Sequence, residues 1–383
     1  MKIKLLTIGH SYVVSLNRSL MRELNAQGNI EVTVLAPEYF HGDLRSLSME
    51  PEPQASFLKV RSIKCYFSKK IHFFFYDPLE LKKILQEEDF DYFYLWEEPY
   101  VVSGYQVARE LQRLKKPYAI FSAQNILKKY PWPFSHFEKF ALEHSQAVWP
   151  CGNLVLECLN KKGFGHLKAD VVSLPVDLKH FHKATKENKL KEKERLGLKQ
   201  KKIIGFMGRL TPEKGVGFFL KALEELLKNP DYGGLLIGSG PLEPEIQAWI
   251  KSHRFESKVK LVSALHSEVS RVLSVMDVIL CPSQSTPFWE EQFGRMIIEA
   301  FACGIPVIGS RSGEIPYVVS EAGLLVDPQD TAGWIKSAKT VLEDEIFSQE
   351  LIQKGLIRAQ KYSAMNLALE LEKNILDAVG NIK

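Results

Sequence analysis

The chain has 383 residues, 50 Lys and Arg against 46 Asp and Glu, and 45% hydrophobic residues. That length is too great for one ordinary core and suits two domains of under about 200 residues each. The net charge of +4 is small and spread over both halves, which argues against nucleic acid as a partner.

No apolar run reaches the roughly 20 residues that a bilayer span needs. The opening MKIKLLTIGHSYVV is interrupted by Gly and His and reads as a first strand, neither signal nor anchor. Cys65, Cys151, Cys158, Cys281 and Cys303 form no C-x-x-C pair, and an odd count argues against a disulfide framework, so a reducing, cytoplasmic setting fits.

Residues 3–9 read as a buried strand ending in Gly, 13–28 as an amphipathic helix closed by Gly, and 31–37 as the next strand. This β-α-β opening puts Gly9, His10, Ser11 and Tyr12 at a strand's carboxyl end, the edge that lines the ligand crevice in open parallel sheets. Residues 57–76 interleave basic and aromatic side chains. They read either as packed strands with solvated lysines or as a face that touches anionic lipid or a carbohydrate acceptor. Asp89-Phe90-Asp91 imitates a D-x-D metal motif. It falls between a helix over 78–87 and the apolar run 92–96, where acids mark a strand entrance, and no third ligand is nearby. Glu97 and Glu98 close that strand as crevice candidates, and a further strand over 117–125 ends in Gln124 and Asn125. Residues 126–152 place prolines and aromatics ahead of a helix from about Ser135, read equally as a ligand-binding loop or a proline-fixed turn.

The charge run 186–198 reads as a solvated helix opening a second domain. The strand IIGFMG then delivers Arg209, with Lys214 and Gly215 on the following loop. Arg forks onto phosphate oxygens while Lys acts as a point charge, a combination suited to a diphosphate. Helices over 217–228 and 243–253 alternate with strands over 233–241, carrying Gly238 and Gly240, and over 258–265, ending at Leu265.

The densest stretch is TPFWEEQFGRMIIEAFACGIP, residues 286–306, which with its flanking apolar runs reads strand, loop, helix, strand. Gly294 sits near the helix start, where the N–H groups around Phe293–Arg295 and the dipole make an anion site. Glu291 and Glu299 bracket that point. On one continuous helix, eight residues give about 12 Å of rise and about 80° of rotation, so the two acids serve two ends of one extended ligand. A nucleotide diphosphate sugar has that shape. Strands within 313–330, helices over 331–342 and 345–361, and an amphipathic segment from 362 to about Gly380 complete the chain.

Glu291 and Glu299 with Phe293-Gly294 between them, followed by Ala302-Cys303-Gly304-Ile305-Pro306-Val307 and by GEIPYVV at 313–319, resemble the E-x7-E signature of the family 4 retaining glycosyltransferases. A second match is the G-R-L-x-x-x-K-G pattern around Arg209 and Lys214. The resemblance is specific from about Ile203 to Asp330 and architectural before that. It implies an α/β protein of the GT-B fold: two Rossmann-like parallel-sheet domains facing each other across a cleft. Residues 1–175 would bind the acceptor, 176–361 the nucleotide sugar, and 362–383 would cross back as a helix to the first domain. It further implies that Arg209 and Lys214 neutralise the diphosphate, that Glu291 orients the sugar hydroxyls and that Glu299 holds the ribose. Phe293, Gly294, Arg295, Gly238, Leu265 and Gly9 would approach the donor, with His10, Glu97, Gln124 and Asn125 on the acceptor side. The chain departs from the family pattern where His10 replaces a second Gly after Gly9, and where Gln124-Asn125 stand in place of a His.

The implied activity is retaining, metal-independent transfer from a UDP- or GDP-sugar to a glycan, lipid-linked or small-molecule acceptor, by front-face attack assisted by the departing phosphate. No cofactor beyond the donor is implied, and peripheral contact with a membrane stays open. A sugar-nucleotide epimerase of the same fold and a catalytically silent binding subunit are the alternative classes.

Overall fold

The computed structural model describes residues 2–42, 46–53, 55–87 and 89–380. The chain divides into two compact units: the first runs to Pro175 and resumes at Ala364, and the second spans Val176–Ser363.

The first unit is built on strands β1 (Ile3–Ile8), β2 (Ile30–Pro37), β3 (Lys59–Ile63), β4 (Tyr92–Leu95), β5 (Tyr118–Ser122) and β6 (Ala147–Pro150). All pair in parallel, in the order β6-β5-β4-β1-β2-β3. The runs YFYL, YAIFS and AVWP are buried at every position, as expected where helices cover both faces of a parallel sheet. Strand order reverses between β1 and β4, with Ile8 beside Leu95. Gly9 and His10 leave β1 at that switch point, and Glu97 leaves β4 two residues past its end.

The second unit repeats the plan with β7 (Lys202–Met207), β8 (Tyr232–Ile237), β9 (Val259–Val262), β10 (Val278–Cys281), β11 (Val307–Ser310) and β12 (Leu324–Val326). Their order is β9-β8-β7-β10-β11-β12, again all parallel. The second switch point therefore lies between β7 and β10.

The last helix, Ala364–Gly380, belongs to the first unit. Leu367, Ala368, Leu371 and Ile375 lie on one face of it and enter that unit's core. Each fully buried Leu or Ile there contributes about 2 kcal/mol of transfer free energy. Residues 381–383 of the expected returning segment lie outside the described residues.

Two local expectations fail, the helix over 13–28 and a strand at 313–319, where Ile315–Val319 is instead a short helix with Pro316 in its first turn, a position that suits proline's fixed φ. The helix expected over 13–28 is instead two 3-10 turns, His10–Val13 and Ser15–Arg18, followed by a short α-helix, Ser19–Ala26. Arg18 is fully buried, donates to the Glu50 carbonyl at 2.6 Å and pairs with Glu52 at 3.1 Å. That anchor, together with the β-branched Val13 and Val14, holds the tighter turns in place. Residues 57–76 hold only β3 and a two-rung hairpin of Cys65–Tyr66 with Phe75–Tyr76. Asp89 and Asp91 behave as strand-entrance acids: Asp91 accepts from the Lys4 N–H at 2.8 Å and Asp89 pairs with Lys116 at 3.1 Å. Among the described residues, no helix is long and apolar enough to cross a membrane.

Candidate functional site

At the second switch point the loop after β7 carries Arg209 and then a 3-10 turn, Pro212–Lys214. Gly215 ends that turn in the left-handed region, φ +75, and a Cβ there would lie 1.8 Å from the Pro282 carbonyl oxygen. Only glycine lets this loop rest directly on the end of β10. The contact places Lys214 Nζ 2.6 Å from Glu291 Oε2, and Ser283 Oγ donates to the same oxygen at 2.8 Å. Glu291 is 6% exposed, and the Lys214 ammonium also lies 5.1 Å from the centre of the Trp289 ring.

Backbone and hydroxyl contacts fix Glu291 from behind. The Glu314 N–H donates to the Glu291 carbonyl at 2.9 Å. Ser310 Oγ donates to the Ser283 carbonyl at 2.7 Å, and Ser312 Oγ to the Gln284 carbonyl at 3.1 Å. Sequence reasoning missed these serines. The available signal was small hydroxyl residues at the ends of two adjacent strands, PSQS after β10 and SRSGE starting at the last residue of β11.

The helix begins only at Arg295, behind Gly294 at φ +84, and runs to Ala302. Glu291 thus stands in the loop, and the one-helix spacing of Glu291 from Glu299 does not apply. Glu299 is on the helix, buried, with Arg295 Nε at 3.1 Å. Burial pushes its carboxyl above the usual range, and Arg295 offsets part of that rise. Phe293 turns its ring into the interior, edge-on to Tyr362 at 5.6 Å, so only its backbone can serve a ligand.

Arg209 is exposed and 3.7 Å from Glu213, a loose pair. Gly238 follows β8, where a Cβ would lie 1.9 Å from the Gly208 carbonyl oxygen, and Leu265 is exposed at the head of the turn His266–Glu268. Beside Trp289 opens a recess of about 600 Å³ lined by Pro212, Glu213, Gln284, Ser285 and Gln329. Among the described residues no three His, Cys, Asp or Glu side chains cluster closely enough to hold a metal ion.

At the first switch point Glu97 is buried and gathers four donors. Its Oε1 accepts from the His10 N–H at 2.7 Å and the Tyr76 hydroxyl at 2.6 Å. Its Oε2 meets His10 Nδ1 at 2.8 Å and Ser103 Oγ at 3.4 Å. The imidazole also stacks on Phe40 at 5.0 Å and meets Phe74 edge-on at 5.4 Å. Burial, followed by the Glu97 charge, pushes the Tyr76 phenol well above its usual range. Gly9 has a packing reason of its own: a Cβ there would lie 2.9 Å from Trp96. Glu98 ties β4 to β5, accepting from the Ala123 N–H at 2.8 Å and Ser122 Oγ at 3.2 Å, and burial pushes its carboxyl up to about 7. Gln124 is buried and spends its amide on the Ile126 carbonyl at 2.9 Å, with Asn125 next on that loop. The structure therefore joins His10 to Glu97 and leaves Gln124 serving its own loop. Glu97→Ala, which orphans these donors, is expected to cost about 2–4 kcal/mol, read as a drop in the denaturant midpoint.

Two Rossmann sheets of order 3-2-1-4-5-6 on one chain, with the last helix returned to the first, define the GT-B fold, and comparison with known proteins agrees. The Anabaena protein Alr3699/HepE, solved with UDP and glucose, superposes with a TM-score of 0.76 at 15% identity, covering 98% of this chain and all of that one. Residues 188–358 match the family model described as Glycosyl transferases group 1. The matched stretch lies within the second unit. D-inositol 3-phosphate glycosyltransferase of Corynebacterium glutamicum is 28% identical over 225 residues, covering 56% of this chain and 53% of that protein. A GDP-mannose-dependent monoacylated alpha-(1-6)-phosphatidylinositol monomannoside mannosyltransferase of the same species is 30% identical over 225 residues, covering 57% and 58%. The chain spans about half the length of these curated relatives.

Proposed function

We propose that this chain is a retaining glycosyltransferase that takes a sugar from a nucleotide diphosphate sugar without a metal ion. The observation that carries the reading is the Lys214–Glu291–Ser283 cluster at the second switch point, four residues ahead of a helix N-terminus. A UDP- or GDP-linked donor is supported by the relatives: Alr3699/HepE was solved with UDP-glucose, and the mannosyltransferase is named for GDP-mannose.

As the anomeric bond breaks, positive charge grows on the sugar ring and negative charge on the leaving diphosphate. Lys214, Arg209 and the N-terminal end of the helix Arg295–Ala302 meet the negative partner, and each preorganised donor of that kind contributes about 3 kcal/mol. The Glu291 carboxylate accepts from sugar hydroxyls, and Glu299 from the ribose. The departing phosphate takes the acceptor proton on the same face, so no side chain forms a covalent intermediate. His10, held by Glu97 through Nδ1 and its backbone N–H, orients the acceptor hydroxyl.

The test is a thermal-shift screen of UDP, GDP and ADP with their sugars, followed by assay of nucleoside diphosphate release. Arg209→Ala should weaken nucleoside diphosphate binding about a hundredfold and leave the bare nucleoside within about twofold. Equal losses for both would overturn the phosphate assignment. An isomerised donor without acceptor would replace this reading with an epimerase, and donor binding without any transfer would replace it with a silent subunit.

A further inference from the structure

The first unit holds an open recess of about 1060 Å³ that the transfer chemistry leaves unused. It lies against the hairpin of Cys65–Tyr66 with Phe75–Tyr76 and the turn joining them. On this rim Phe67 is 72% exposed and Phe73 51% exposed, although aromatic side chains of this size ordinarily bury most of their surface. Phe67 adopts φ +58, the left-handed region that a bulky side chain enters only at a cost. The turn is nonetheless ordered, with the Lys70 N–H donating to the Phe67 carbonyl at 3.1 Å and the Phe73 N–H to the Lys70 carbonyl at 2.8 Å. The ring is held outward by hydrogen-bonded backbone.

Lys64, Lys69 and Lys70 line the same recess. Among the described residues none of the three is ion-paired to a carboxylate. Asp77, which also feels the Lys64 charge, accepts from the Tyr66 hydroxyl at 2.9 Å and the Leu79 and Glu80 N–H groups at 3.1 and 2.9 Å. Glu80 accepts from the Lys64 N–H at 3.2 Å, and Glu38 is the carboxylate on the wall. The aromatic rim continues through Phe134, edge-on to Phe73 at 5.4 Å, towards Trp132, which is 82% exposed.

We propose that this basic aromatic face docks the chain on the surface of a bilayer that carries anionic lipid. Charge complementarity selects the occupant. Lysines meet anionic headgroups while Phe and Trp rings enter the boundary between headgroups and acyl chains, which is how amphipathic surfaces hold membranes. A soluble anionic glycan would meet the same lysines and stack on the rings but would not carry the chain onto vesicles, so flotation separates the two occupants. The inference does not depend on the transfer reading, because its readout is partition and not activity.

The experiment floats the full chain with vesicles of phosphatidylcholine alone and of phosphatidylcholine containing about one-third phosphatidylglycerol. Flotation is expected on the anionic vesicles only, declining as NaCl shortens the screening length. Lys69→Gln with Lys70→Gln should lower the partition coefficient about 25-fold, at about fivefold per lysine near the surface. Phe67→Ser with Phe73→Ser should lower it at low salt as well, with the chain still folded, since Phe67 is 72% and Phe73 51% exposed. Equal flotation on both vesicle types, no flotation at low salt, or wild-type partition of either double variant would overturn the proposal.

Discussion

Glu291→Gln is expected to lower the rate of sugar transfer by about a hundred- to a thousandfold with the fold intact. One carboxylate oxygen of Glu291 serves both the Lys214 ammonium, at 2.6 Å, and the Ser283 hydroxyl, at 2.8 Å. The amide keeps the shape and can turn its oxygen towards both donors, so the local geometry survives. What disappears is the negative charge, and with it the counter-charge of a lysine whose side chain is 13% exposed. Leaving that ammonium unbalanced should cost about 1–3 kcal/mol, seen as a lower unfolding midpoint. Lys214→Met is the mirror experiment: it strands the buried carboxylate and should weaken diphosphate binding together with turnover. Because each single change orphans the other partner, the double variant should lose less stability than the two losses added, by about 1–3 kcal/mol. Normal turnover in Glu291→Gln would remove Glu291 from the chemistry, and strict additivity would remove the pair as a unit.

The alternation of strand and helix was legible because each parallel strand is a short, continuous apolar run between glycines or prolines, and each helix buries a single stripe. The order of strands was not. It depends on contacts such as Leu5 with Tyr92 and Ile204 with Val278, far apart in the chain. The site divides in the same way. Arg209, Lys214, Glu291 and Glu299 stood out through the family pattern that their flanking residues resemble, yet the direct contact of Lys214 with Glu291 joins positions 77 apart. It also needs Gly215 in a left-handed turn against Pro282, which no local pattern announces. The assumption of one helix through both glutamates failed at Gly294, whose positive φ starts the helix late. Hydroxyl residues after strands are too common to single out Ser283, Ser310 and Ser312. On the first unit, Glu97 was legible as a strand-end acid, but His10, Tyr76 and Ser103 reach it from three other segments.

Gly313→Ala should damage the same site without altering any charge. Gly313 holds φ +52, and a Cβ added there would sit 2.0 Å from the Glu291 carbonyl oxygen and 2.8 Å from its backbone nitrogen. These are backbone atoms, so no side chain can swing away to make room. Either the 311–315 turn lifts and the bond from the Glu314 N–H to the Glu291 carbonyl breaks, or Glu291 is driven off Lys214. The combined conformational and steric cost should be about 3 kcal/mol, or roughly 6–12 °C in the midpoint of a unit of this size. Turnover should fall into the range of Glu291→Gln. Gly217→Ala supplies the contrast: it lies inside the helix Val216–Leu226, and a Cβ there meets nothing within 4 Å. That variant should be unchanged or about 0.5–1 kcal/mol more stable, since alanine loses less backbone freedom in a helix. Wild-type stability and turnover in Gly313→Ala would mean that the 311–315 turn moves independently of Glu291, and the backbone support assigned to the carboxylate would have to be sought elsewhere.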